Sequence, residues 1–134
     1  GKLLKALPTR DAILPAIMLL FAAQKGLIST LVDALPQRYT HSDRIQNFAT
    51  EKSQALIAQG KQDPKKLLAQ IGFPKAEIKN IDDTDGLRIA LTDNRIIHLR
   101  PSGNAPELRC YAEAENYLKA SECVITSLKN IQMP

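Results

Sequence analysis

Ten residues at positions 100–109, Arg-Pro-Ser-Gly-Asn-Ala-Pro-Glu-Leu-Arg, combine side chains and spacing suited to holding a phosphate group. Arg100 and Arg109 each present a planar fork of donors that can grip phosphate oxygens in pairs. Between them, Ser102, Gly103 and Asn104 are small enough to let the backbone approach an anion and turn its N–H groups toward it. Ser102 adds a hydroxyl donor. No G-x-S-x-G turn surrounds it and no base stands beside it, so it reads as a phosphate contact and not as a nucleophile. The expected site is a binding site made of Arg100, Ser102, Gly103, Asn104 and Arg109, with no catalytic residue and no metal ligand in the chain.

The flanking segments must be strands for this site to assemble. Ile97 and Leu99 alternate with His98 and Arg100, and Leu108, Cys110 and Ala112 alternate with Arg109, Tyr111 and Glu113. If the apolar set faces inward, both arginines point outward and converge near one loop. Further strands are expected at 76–81, leading into the turn Asp82-Asp83-Thr84-Asp85-Gly86, and at 87–91, turned by Asp93-Asn94 into 96–99. An extended strand is also read at 37–46, with Tyr39, His41, Asp43 and Ile45 on one face.

Helices are expected at 50–60 and 64–71, interrupted by Gly60 and Pro64, and a final one carries Tyr117, Ser121, Val124 and Leu128 as its inward stripe. The predicted fold is α+β: a four-stranded antiparallel sheet with helices packed on one face. Ahead of it, Asp11 caps a helix over 11–25 that ends at Gly26, with Ile13, Leu14, Ile17, Leu20 and Phe21 inward, and Ser29 caps a shorter one through Ala34. Leu35-Pro36 closes that region. The expected division is 1–36, a helical remnant of a preceding domain, and 37–134, a complete domain.

Composition narrows the partners. The 134 residues, 44% of them hydrophobic, suffice for one core, and a formal net charge of +4 fits an anionic ligand. Phosphosugar and nucleic acid both qualify, but the chain has no Trp and only 4% aromatic residues, which disfavours a base-stacking surface. The apolar stretch 12–23 is too short to span a bilayer, and no secretory leader is recognised, so a cytoplasmic location without membrane attachment is expected. Cys110 and Cys123 lack metal-ligand spacing and read as free thiols. Lys61, Lys65 and Lys66 read as a solvated helix surface, the acidic turn as hairpin chemistry and not a calcium loop, and His41 and His98 as strand-face residues.

The 100–109 run resembles the phosphate-binding loop of the α-D-phosphohexomutases, the phosphomannomutase and phosphoglucomutase family, whose pattern is R-P-S-G-T-E-P followed by a basic residue. Arg100, Ser102, Gly103, Pro106 and Arg109 follow that pattern; Asn104 stands in place of threonine and Ala105 in place of glutamate. Residues 7–11, Leu-Pro-Thr-Arg-Asp, and 31–39, Leu-Val-Asp-Ala-Leu-Pro-Gln-Arg-Tyr, are similar to the end of the family's third domain and the passage into its fourth. The resemblance implies a TATA-box-binding-protein-like fold for 37–134. It implies a role in an enzyme that interconverts hexose 1-phosphates and 6-phosphates, such as those of mannose or glucose, through a phosphoserine and a bisphosphate intermediate. The phosphoserine and the magnesium site would belong to other domains of the enzyme, because the family's T-A-S-H-N-P and D-G-D-x-D-R loops do not occur here. The expectation is therefore a fragment inactive alone. The alternative is a stand-alone anion-binding or regulatory module, with nucleic acid as one such anion.

Overall fold

The computed structural model describes residues 12–24 and 26–133. The chain divides into two compact units, Gly1–Pro36 and Gln37–Pro134.

The first unit holds two helices, α1 (Ile13–Ala22) and α2 (Ile28–Asp33). The proposed Asp11 cap and the 7–11 motif lie outside the described residues. The inward stripe read for this helix is not buried: no residue of α1 is, and Ile13, Leu20 and Phe21 are each more than 60% exposed. Ser29 is not a cap either. Leu27 occupies that position, and the local side-chain bond is made by the Thr30 hydroxyl donating to the Leu27 carbonyl. A cap depends on backbone angles at one residue, which composition alone does not locate.

The second unit runs β1 (Tyr39–Gln46), α3 (Thr50–Gln62), α4 (Pro64–Gln70), β2 (Ile78–Asp82), β3 (Leu87–Leu91), β4 (Ile96–Pro101), β5 (Glu107–Ala114) and α5 (Tyr117–Gln132). The sheet has five strands, not four, in the order β1-β5-β4-β3-β2, and every pairing is antiparallel. All five extended segments read from the sequence join it, 37–46 among them as β1, which pairs with β5 from Tyr39 opposite Ala114 to Gln46 opposite Glu107. Only Ile45 of its residues is buried, so its membership rests on a ladder to a strand some sixty residues later and leaves little trace in local hydropathy.

The core lies between the sheet and the helices. Leu87, Ile89 and Leu91 on β3, Ile97 and Leu99 on β4, and Leu108, Cys110 and Ala112 on β5 are all buried, as the alternation requires. Leu56 and Ile57 of α3, Leu67 and Leu68 of α4, and Val124 and Leu128 of α5 meet them. Two corrections concern the helices. Gly60 does not interrupt α3; it sits inside it, where a Cβ would run into the side chains of Leu67 and Leu87, so the glycine serves a close approach of helix to core. The buried stripe of α5 is Ala120, Cys123, Val124, Ser127, Leu128 and Ile131, while Tyr117 is 54% exposed. The break between α3 and α4 falls at Asp63, whose carboxylate accepts the Lys66 N–H at 2.9 Å and caps a helix that begins on Pro64.

Candidate functional site

The β4–β5 connection is a short loop tied down from both sides. The Ser102 N–H donates to the Glu107 carbonyl at 2.9 Å, the Glu107 N–H to Ala105 O at 2.8 Å, and the Phe48 N–H to Pro106 O at 2.8 Å. Ser102 is nearly buried, and its Oγ accepts the Asn104 N–H at 3.4 Å. Gly103 stands over open space: a Cβ there would meet nothing within 4 Å. Ser102, Gly103 and Asn104 border an open surface cleft of about 470 Å³ that Thr50 and Gln54 of α3 also line. This is a concave patch of backbone and hydroxyl groups with room for a ligand.

The two arginines come together on the opposite layer. Arg100 and Arg109 are Cα partners across the β4–β5 ladder, so their side chains leave the same sheet face, the one turned away from the helices. They approach each other in register, but they do not border the cleft that Ser102, Gly103 and Asn104 line. Arg100 Nε lies 2.9 Å from Asp85 Oδ2, and Arg109 Nη2 lies 3.5 Å from Glu107 Oε2. The Tyr111 oxygen beside Arg109, and to a smaller extent Glu107, push that guanidinium above its ordinary pKa.

Asp85 escaped the sequence reading as a partner of Arg100 because a hairpin turn brings the two together, whereas Glu107 reaches Arg109 as its i,i+2 neighbour on the same face of β5. The acidic turn behaves as turn chemistry demands. Asp82 Oδ1 accepts the Thr84 N–H at 2.9 Å, which with the Thr84 side chain holds the Asp82 carboxyl below its usual range, and Gly86 takes φ +84°.

The remaining candidates have partners of their own, and His98 touches the same Asp85 and Tyr111 that neighbour the arginines. His98 lies two residues from Arg100, with Nε2 2.6 Å from the Asp85 carbonyl and its ring 5.6 Å from that of Tyr111. His41 meets Tyr117 edge to face at 5.6 Å. Lys61 pairs with Asp83 at 3.2 Å, an exposed ion pair of the kind that contributes little. Among the described residues, no group of three or more His, Cys, Asp or Glu is arranged to hold a metal ion. No helix among them is long and apolar enough to cross a membrane.

Both cysteines are buried free thiols. Burial pushes the Cys110 thiol up to about 12 and raises that of Cys123 as well. Since only the thiolate is nucleophilic, Cys110 is expected to resist iodoacetamide at pH 8 in the native chain and to react at once in denaturant. Mass spectrometry of the alkylated peptide reads this directly; fast native labelling of Cys110 would contradict its place in the core.

A five-stranded antiparallel sheet with helices on one face, and a tight loop joining two arginine-bearing interior strands, defines an α+β domain. Its sequence matches the profile of the phosphoglucomutase/phosphomannomutase C-terminal domain over residues 43–124. The chain is 56% identical over 131 residues, 98% of its length, to a phosphomannomutase of Salmonella muenchen. It is 42% identical over 121 residues, 87% of its length, to a phosphomannomutase of Sinorhizobium fredii. The chain therefore belongs to the phosphoglucomutase/phosphomannomutase family, and residues 43–124 are its C-terminal domain. It spans 27% and 25% of these two relatives, about a quarter of each.

Proposed function

We propose that this chain is the C-terminal part of a phosphohexomutase and holds the phosphate of a hexose phosphate that is not reacting. The observation that carries the reading is the 100–109 loop: it lies inside the matched family domain, and its two arginines stand opposite each other in the β4–β5 ladder. In the larger enzyme, Arg100 and Arg109 supply charge and paired donors from the outer sheet face, and Ser102, Gly103 and Asn104 offer a hydroxyl and open backbone from the loop's own cleft. Gripping a remote phosphate gives binding energy that orients the reacting end of the sugar. The substrate class is a mannose or glucose 1-phosphate or 6-phosphate, with the mannose series supported by the names of both relatives.

The chemical step lies elsewhere in the longer protein. Phosphoryl transfer in this family uses a phosphoserine and magnesium, and this chain lacks the sequence patterns of both; its described residues offer no carboxylate cluster for the metal. We assign no step through magnesium to these residues. Residues 1–36 are read as the tail of the preceding domain, and 37–134 as a TATA-box-binding-protein-like fold, which the element order β-α-α-β-β-β-β-α supports. The partners are the remaining domains of the same enzyme and the hexose phosphate, in the cytoplasm, where buried free thiols remain reduced.

The test is activity. The purified 134-residue chain should not interconvert mannose 1-phosphate and mannose 6-phosphate, even with magnesium and a hexose bisphosphate, while the longer protein carrying it should. Turnover by the chain itself, or none by the longer protein, would refute this division of labour and favour a stand-alone anion-binding module.

A further inference from the structure

The ladder that sets Arg100 opposite Arg109 continues one strand further. Arg109 is also the Cα partner of Arg44 on β1, so three arginines stand in one row across β4, β5 and β1. Their side chains share the sheet face away from the helices, since Ile45 and Leu108, the neighbours of Arg44 and Arg109, face the core. Like charges at directly opposed positions repel. Here Glu107 answers two of them: its carboxylate lies 3.4 Å from Arg44 Nη1 and 3.5 Å from Arg109 Nη2, with its side chain only 11% exposed. Asp85 answers the third. The three guanidiniums of the row therefore share the carboxylates of Glu107 and Asp85, with Asp43 adjoining Arg44 in sequence.

Beside the row lies an open surface depression of about 270 Å³ bordered by Ser42, Asp43, Arg44, Arg109 and Tyr111. Arg44 is half exposed, and the Asp43 carboxylate is engaged by the Arg44 backbone N–H at 2.8 Å. Two guanidiniums, a serine hydroxyl and a phenol facing one depression form a donor set for a doubly charged oxyanion.

We propose that Arg44 is a third phosphate-binding arginine, gripping a phosphate group together with Arg109 across this depression, while Glu107 holds the two side chains together until the anion takes over their donors. The proposal rests on the reading of Arg109 as a phosphate contact and adds a residue outside the 100–109 loop. It also gives β1, the edge strand beside β5, a part in the site.

The experiment is a titration of the 134-residue chain with inorganic phosphate, followed by amide and arginine side-chain NMR, on the parent, Arg44→Gln, Glu107→Gln and Arg100→Ala. Arg44→Gln should weaken phosphate binding about five- to tenfold, as expected for loss of a partly exposed charge-assisted contact. Glu107→Gln removes the competing carboxylate and should leave binding equal or tighter. If Arg44→Gln binds within about twofold of the parent while Arg100→Ala is impaired, Arg44 is no phosphate ligand although the loop reading stands. If Glu107→Gln weakens binding as much as Arg44→Gln, the ion pair matters and not the arginine's charge, which overturns the proposal. If phosphate perturbs none of residues 100–109 in the parent, the underlying reading itself falls.

Discussion

Replacing Arg100 by alanine is expected to lower the affinity of the chain for inorganic phosphate about tenfold or more. A hydrogen bond to a charged group contributes roughly 1.5–3 kcal/mol, and the guanidinium can make two at once. The lower end applies here, because the Arg100 side chain is 43% exposed and already shares its charge with Asp85. Arg100→Lys should recover part of the loss, since lysine keeps the charge and forfeits the fork. Asp85→Asn gives a contrast of opposite sign: with its carboxylate neutralised, Arg100 is released, and phosphate should bind more tightly. Isothermal calorimetry on the four proteins at one low salt concentration reads the series. Equal affinities across it would mean that Arg100 serves only its ion pair.

The second large effect belongs to Gly86→Val, a change in the turn that fixes Asp85. Gly86 has φ +84°, a region that a β-branched residue adopts only under strain, and a Cβ there would press into the Leu99 carbonyl oxygen with the Arg100 Cα 3.0 Å away. Backbone strain alone costs about 1–3 kcal/mol, and the contact with a fixed strand adds to it. A loss of about 3 kcal/mol or more is expected, read as a lower midpoint in urea. Because the obstructed atoms belong to Leu99 and Arg100, whatever fraction stays folded should also bind phosphate more weakly. A variant as stable as the parent would contradict the tight packing of this turn against β4.

These two positions show what the sequence makes legible and why. The strands flanking the loop were readable because Leu87, Ile89 and Leu91, then Ile97 and Leu99, then Leu108 and Cys110 alternate strictly and are buried on one face only. The same alternation sets Arg100 and Arg109 on one face, and the register confirms that they are opposed. The turn at Gly86 was readable because aspartate and glycine leave few alternatives for a tight hairpin.

What escaped depends on distance along the chain. β1 has a single buried residue, so its place beside β5 is set by hydrogen bonds to a remote strand. Arg44 enters the neighbourhood of Arg109 and Glu107 through that pairing alone. Gly60 looks like a helix breaker in sequence, and only the approach of Leu67 and Leu87 shows why a glycine belongs there. The apolar stripe of α1 predicted a helix correctly and burial wrongly, because periodicity reports which face is apolar and not what covers it.

The most direct measurement for the central claim is a two-dimensional amide NMR titration of the 134-residue chain with inorganic phosphate and then mannose 6-phosphate. The shifts should concentrate on Arg100, Ser102, Gly103, Asn104 and Arg109, and the sugar phosphate should move the same amides as phosphate alone. Shifts centred on Lys61, Lys65 and Lys66, or no saturable shift within residues 100–109, would contradict the assignment of this loop as the phosphate site.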